Sequence, residues 1–235
     1  MSSLVDSLDR LVRYLSQDFL GGPRHLSLAQ VINFQKGLTL PFVLGLMLYY
    51  ENWNIYAWVY MALHGSYGLL WLLKHYTFRD KRWDIKITYG GALLSFLIVL
   101  GPYWLFPWIL ISQVLGPDHQ PSHLIMFIAI FVHTIGVALM LVTDAQKYYT
   151  LRFQPQLITD GMFKYIRHSN YLGEMLIYAC YALLVQHWVP WVILIYIWIA
   201  VFFVNMLMIE RSISRYPQWD AYKQRTGMLL PKVLR

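Results

Sequence analysis

Charge is scarce in this chain. Only 13% of its 235 residues are Asp, Glu, Lys or Arg, while 58% are hydrophobic and the mean hydropathy is +0.44. A soluble domain carries about 25% charged residues, so this deficit, together with several long apolar runs, predicts an integral membrane protein. Cysteine is nearly absent as well. Cys180 stands alone in an apolar run, which excludes an intrachain disulfide and reads as a small core residue. No apolar leader opens the chain, because residues 1–20 are amphipathic, and no cleavable signal peptide is expected. GxGxxG and GxxxxGK[ST] are both missing, which removes the common Rossmann and P-loop nucleotide sites. The net charge of +7 is assigned to cytosolic loops of a membrane protein, and nucleic acid is not an expected partner.

What is present is helical periodicity. Residues 4–20 set Leu4, Leu8, Leu11, Val12, Leu15 and Phe19 at helical spacing, with Asp6, Asp9, Arg10, Arg13 and Asp18 on the other side. This is an amphipathic helix that lies either in the membrane interface or on the protein itself, and Gly21-Gly22-Pro23 ends it. Six spans follow, at about 30–50, 55–74, 88–112, 122–143, 171–187 and 189–208. Gln35 and Lys36 interrupt the start of the first. In the second, His64, Tyr67, Trp71 and His75 share one face, and polar groups inside a membrane usually face the bundle interior or a wet cavity. Gly101-Pro102 predicts a kink or break in the third. His133, Gly136, Met140, Asp144 and Lys147 form one stripe along the fourth. The turn His187-Trp188-Val189-Pro190 joins the last two as a helical hairpin.

Lys and Arg gather in the N-terminal segment, the 74–86 loop, the 144–167 stretch and the tail, and the three opposite connections have none. The positive-inside rule then places both termini and all four basic segments in the cytosol. The expected fold is an all-α membrane bundle of about six transmembrane helices plus an N-terminal amphipathic helix. It divides into that helix at 1–25, four spans on the substrate side at 26–143, and a cofactor-binding region at 144–235. His119 and His123 sit four apart in one opposite connection, but a third ligand is missing nearby and no metal site is expected.

The stretch from Asp144 to Glu174 is the long polar segment of the second half. Lys147, Arg152, Lys164 and Arg167, with Arg211, Arg215, Lys223 and Arg225 of the tail, belong to one membrane face. Guanidinium groups bind phosphate oxygens bidentately, and Lys adds a point charge. Asn170, Tyr171 and Glu174 stand at the start of a helix whose free N–H groups favour an anion. Gly173 would let a planar ligand approach the backbone, and Tyr165, Tyr171, Trp219 and Tyr222 could stack on a ring. Together these suit a nucleotide with several phosphates. The plainer alternative is that the cations fix topology and touch lipid headgroups.

The octapeptide RHSNYLGE, residues 167–174, resembles the Arg-His-Pro-x-Tyr-x-Gly-Glu signature of a membrane superfamily. That superfamily holds the steroid 5-alpha-reductases, the sterol reductases, and the isoprenylcysteine and phospholipid methyltransferases. The similarity covers 144–235, and DAQK at 144–147 with Arg152 and the Asn170–Glu174 element resembles the reductase branch. Ser169 stands where Pro is usual and is expected to cap the fifth span.

The resemblance implies a cofactor between the central stretch and the tail, NADPH in a reductase or S-adenosylmethionine in a methyltransferase. The phosphates of NADPH suit Lys147, Arg152 and Arg167 better. His168, Asn170, Tyr171 and Glu174 would then position the ribose or nicotinamide, with Gly173 leaving room at the backbone; Glu210 would bond a hydroxyl or amide, and Tyr222 would help close the site. The expected reaction reduces a C=C bond of a lipophilic substrate, sterol-like or enone, that enters from the bilayer. Tyr67 is the first candidate proton donor, with His64 and His133 as alternatives. A methyltransferase would need no such donor, and a non-catalytic scaffold would bind no nucleotide. The endoplasmic reticulum fits a eukaryotic enzyme of this kind, and the plasma or inner membrane a bacterial one.

Overall fold

The computed structural model describes residues 2–232, with side chains from Ser7 onward. Leu4 and Asp6 of the amphipathic face, and residues 233–235 of the tail, lie outside the described residues and side chains. The chain is nearly all helical. Helix α1 (Ser2–Arg13) runs on through a π-turn to Asp18, and a two-residue strand β1 (Leu26–Ser27) leads into α2 (Leu28–Tyr49). Helix α3 (Ile55–Phe78) follows, then β2 (Lys86–Ile87), which pairs antiparallel with β1. Helices α4 (Tyr89–Ser95) and α5 (Leu105–Ile111) form one interrupted rod, and α6 (His123–Phe153) is continuous. The second half comprises α7 (Ser169–Val185), α8 (Trp188–Ile197), α9 (Val204–Ile213) and α10 (Trp219–Arg225).

Local chemistry sets these boundaries. Ser27 and Gln30 form a capping box at the start of α2, and the Thr88 and Ser122 hydroxyls cap α4 and α6. Between α4 and α5 the helix loosens into a π-turn over Phe96–Leu100 and tightens over Gly101–Trp104, where Pro102 cannot donate to the ladder. Gln186, left-handed at φ 53°, ends α7 and starts the hairpin into α8.

Four of these rods are long and apolar enough to cross a membrane: Leu28–Tyr49, Tyr89–Ile111, His123–Phe153 and Trp188–Ile213. The protein is an integral membrane protein. The remaining two of the six predicted spans are α3 and α7. Helix α7 is 17 residues long, and α3 turns a polar, aromatic face inward that dilutes its hydropathy. The fourth predicted span is longer than expected, because Asp144–Phe153 continues α6 by more than two turns. On it, His133, Gly136, Met140 and Asp144 form the buried stripe. The N-terminal helix docks on the protein: Thr88 donates to the Phe19 carbonyl, and Gly91 lies against the Ser16 backbone.

The tightest crossing joins α6 to α7. A Cβ at Gly173 would sit 2.6 Å from the Gly136 carbonyl oxygen and 2.7 Å from the Met140 amide nitrogen, backbone atoms that cannot rotate away. Gly173 thus admits a helix where the sequence suggested a ligand. Gly173→Ala is expected to destabilise the protein by about 1–3 kcal/mol through overpacking, read as a lower melting temperature in detergent.

Candidate functional site

The interior of the bundle holds an unusual run of polar groups. It begins on α2, where Gln35 is fully buried and Lys36 is 3% exposed. Helices α2 and α3 approach closely here, since a Cβ at Gly68 would meet the Lys36 carbonyl oxygen at 2.5 Å. That approach sets the Lys36 ammonium 4.5 Å from the centre of the Tyr67 ring and 5.0 Å from that of Tyr178 on α7. The same ammonium donates to the Tyr178 hydroxyl at 2.6 Å. Tyr103 stacks on Tyr178, with ring centres 4.1 Å apart.

Several buried polar atoms of the bundle interior make no hydrogen bond of normal length among the described residues. They are both side-chain atoms of Gln35, the Tyr67 hydroxyl, His64 Nε2 and the Thr143 hydroxyl. An unpaired buried polar group costs about 1–3 kcal/mol, so a cluster of them marks a place where a ligand or water completes the bonding. The other two predicted proton donors are more fully engaged. His64 Nδ1 is 3.0 Å from the Tyr60 hydroxyl and its ring stacks on Tyr181, while His133 Nε2 is 3.1 Å from the Tyr181 hydroxyl.

From this cluster the polar run continues toward the basic end of the bundle. Lys74, near the end of α3, packs over Trp71 and forms a buried ion pair with Asp144. Asn170 donates to the other Asp144 oxygen at 3.1 Å, which gives that predicted residue a place beside the ion pair. Glu174, one turn on, makes no ion pair among the described residues, and its charge acts on both Lys36 and Lys74. Beyond Asp144 a cleft of about 560 Å³ opens between the end of α3 and the last turns of α6. Its walls carry Arg79, Asp80, Lys81, Asp144, Lys147 and Arg152. Lys147 bonds Asp80 at 2.7 Å, and Arg82 grips the same carboxylate. Burial alone would raise the Asp80 carboxyl, but Arg82 and Lys147 hold it well below the usual carboxylate range.

The tail forms a separate clasp. Arg167 donates to Glu210 at 2.7 Å and to the Thr226 carbonyl at 2.6 Å, and its backbone bonds Gly227. Tyr222 donates to the Phe163 carbonyl, and burial pushes its hydroxyl up to about 12. His168 lies 3.6 Å from Glu210, too far for a hydrogen bond, and burial lowers its imidazole below the ordinary value against the pull of that carboxylate. Tyr171 is buried against His168 and Phe202. Arg167 and Glu210 therefore satisfy each other and join α7, α9 and the tail instead of facing the basic cleft. Ser169 does not cap α7 either; its hydroxyl donates back to the Met162 carbonyl at 2.8 Å. Arg167→Ala leaves Glu210 unpaired in a largely buried position, an expected cost of about 3–5 kcal/mol. Limited proteolysis should then cut the tail between α9 and α10 far faster than in the parent protein.

His119 bonds the Val185 carbonyl at 3.1 Å, and among the described residues no group of three or more His, Cys, Asp or Glu is placed to hold a metal ion. Gln35, Lys36, Lys74, Tyr103 and Tyr178 are not among the site residues expected from the sequence, where Gln35 and Lys36 stand only as interruptions of the first span. Lys36 within an apolar run was the available signal.

Residues 30–226 match the family model DUF1295, described as a protein of unknown function. The chain belongs to this family. No curated protein sequence matches it. DUF1295 lies in the steroid 5-alpha-reductase-like membrane superfamily, the coarse grouping that the Arg167–Glu174 motif resembles. Every residue of the buried polar run in this DUF1295 chain, from Gln35 to Glu174, falls within the matched region.

Proposed function

We propose that this DUF1295 protein is a membrane-embedded, NADPH-dependent reductase of a C=C bond in a lipophilic substrate. One observation carries the reading: the Lys36 ammonium lies over the ring of Tyr67, whose buried hydroxyl faces Tyr178 without a hydrogen bond of normal length among the described residues, in a polar run that leads toward a basic cleft. Methyl transfer from S-adenosylmethionine needs no interior proton donor and gains little from a cationic cleft. A scaffold needs neither.

In this reading α3 and α7 also lie across the bilayer, shielded by their neighbours, and both termini and the basic cleft face the cytosol. The residues present fit NADPH in two respects. Lys147 and Arg152, with Lys81 and Arg79 on the facing wall, supply cations for its phosphates. The orphaned side chains of Gln35 and Thr143 supply partners for an amide or carbonyl deep in the bundle. Arg167, His168, Glu210 and Tyr222 support the site from outside by holding the tail in place. Asn170, through Asp144, and Glu174, through Lys36 and Lys74, set the charge along the inner wall.

NADPH, when bound, supplies a hydride. The Tyr67 hydroxyl donates a proton to the carbonyl oxygen or to the carbon next to the one reduced. The Lys36 ammonium stabilises the negative charge left on Tyr67, and its bond to Tyr178 fixes it there. Gln35 orients the substrate oxygen through its amide N–H. Packed aromatic rings exclude water from the reacting carbons. The test is label transfer: purified protein, a total lipid extract and NADPH deuterated at C4 should yield a lipid with one new carbon-bound deuterium. Methyl label passed from S-adenosylmethionine to lipid, with no deuterium incorporated, would refute the reductase reading.

A further inference from the structure

A second cleft, of about 750 Å³, lies between α1 and α9, outside the polar run described above. Arg10 and Arg13 enter it from α1, and Arg211 and Arg215 from α9 and the turn beyond. Ser212 adds a hydroxyl and Met208 an apolar patch. Among the described side chains Asp9 is the acidic group on the wall, and it is paired with Arg13 at 2.8 Å. Four guanidinium groups from segments about two hundred residues apart thus face one space, with Asp9 the one carboxylate among the described side chains of its wall.

We propose that this cleft binds the phosphate headgroup of an anionic phospholipid. Guanidinium groups match phosphate oxygens bidentately, and convergence of two such pairs on one cleft exceeds what orienting a helix requires. The depth is right for a lipid. Arg211 stands in the last turn of the apolar rod Trp188–Ile213, where headgroups meet the end of a span. The same rod exposes Ile199 and Phe203 along its length, a surface for the acyl chains that a free anion would not use. Helix α1 and the segment after it expose Leu11, Tyr14 and Leu20, apolar side chains suited to the headgroup boundary. A bound lipid would pin the N-terminal helix to the C-terminal rod.

The experiment is native mass spectrometry of the full-length protein in detergent, offered phosphatidylglycerol or phosphatidylcholine in equal amounts. Retention of phosphatidylglycerol over phosphatidylcholine is expected, and Arg10→Gln/Arg215→Gln should retain about tenfold less, since charge-assisted hydrogen bonds are lost. The melting temperature and NADPH binding of that variant should not change, because neither residue touches the interior run or its cleft. Should the double variant fail to fold, Arg215→Gln alone should lower retention by about threefold. Equal retention of the two lipids, or unchanged retention in a folded variant, overturns the proposal. So does inorganic phosphate binding as tightly as the lipid, which would make this a free-anion site.

Discussion

Asp144→Ala is expected to lower stability by about 3–5 kcal/mol, the cost of leaving a buried cation without its partner. Asp144 sits 8% exposed, holds Lys74 in an ion pair and accepts from Asn170. Removing it strands the Lys74 ammonium, itself 4% exposed, against Trp71 and Met140. The pair itself need not be stabilising, because desolvating both charges offsets most of their attraction. A double variant, Lys74→Met with Asp144→Leu, should therefore melt well above the single one and close to the parent. Thermal unfolding in detergent of the two singles and the double checks this, and a double variant no better than Asp144→Ala would mean the ion pair is not the issue. Cofactor binding is the second readout, since Asp144 also lines the basic cleft.

Tyr67→Phe is expected to lower the rate of reduction by about 10²–10⁴-fold, the usual worth of a positioned general acid. Only an oxygen is deleted, and that oxygen faces the Tyr178 hydroxyl but makes no hydrogen bond of normal length among the described residues. Stability should stay level to within about 1 kcal/mol, because the deleted hydroxyl makes only a long contact with Tyr178. NADPH affinity should be unchanged, since Tyr67 lies inward of the cleft. The combination of lost turnover, intact binding and intact fold separates a proton donor from a packing residue. Lys36→Met tests the same step, with a loss of rate alongside loss of the bond to Tyr178.

Much of this arrangement was readable in the chain. The buried stripe His133, Gly136, Met140 and Asp144 follows from helical periodicity alone, because all four point one way on a straight helix. The break at Gly101-Pro102 followed from the missing proline N–H. What escaped was pairing across the fold. Lys74 sits where a loop cation would and counts toward topology, yet its partner lies 70 positions away. Arg167 belongs to a motif suggestive of phosphate binding, but Glu210, on another helix, takes its guanidinium. Gly173 looked like a ligand contact because the sequence cannot say whether a planar ring or a second glycine lies opposite. Helix α3 looked like a span by pattern, while its Tyr, Trp and His face lowers its hydropathy for the reason that it lines the interior.

The most direct test of the central claim is calorimetric titration of the detergent-purified protein with NADPH and, separately, with S-adenosylmethionine. NADPH should bind, and Arg152→Gln should weaken it by about 1–3 kcal/mol as a phosphate contact is lost. Heat from S-adenosylmethionine alone, or from neither ligand, would contradict the account.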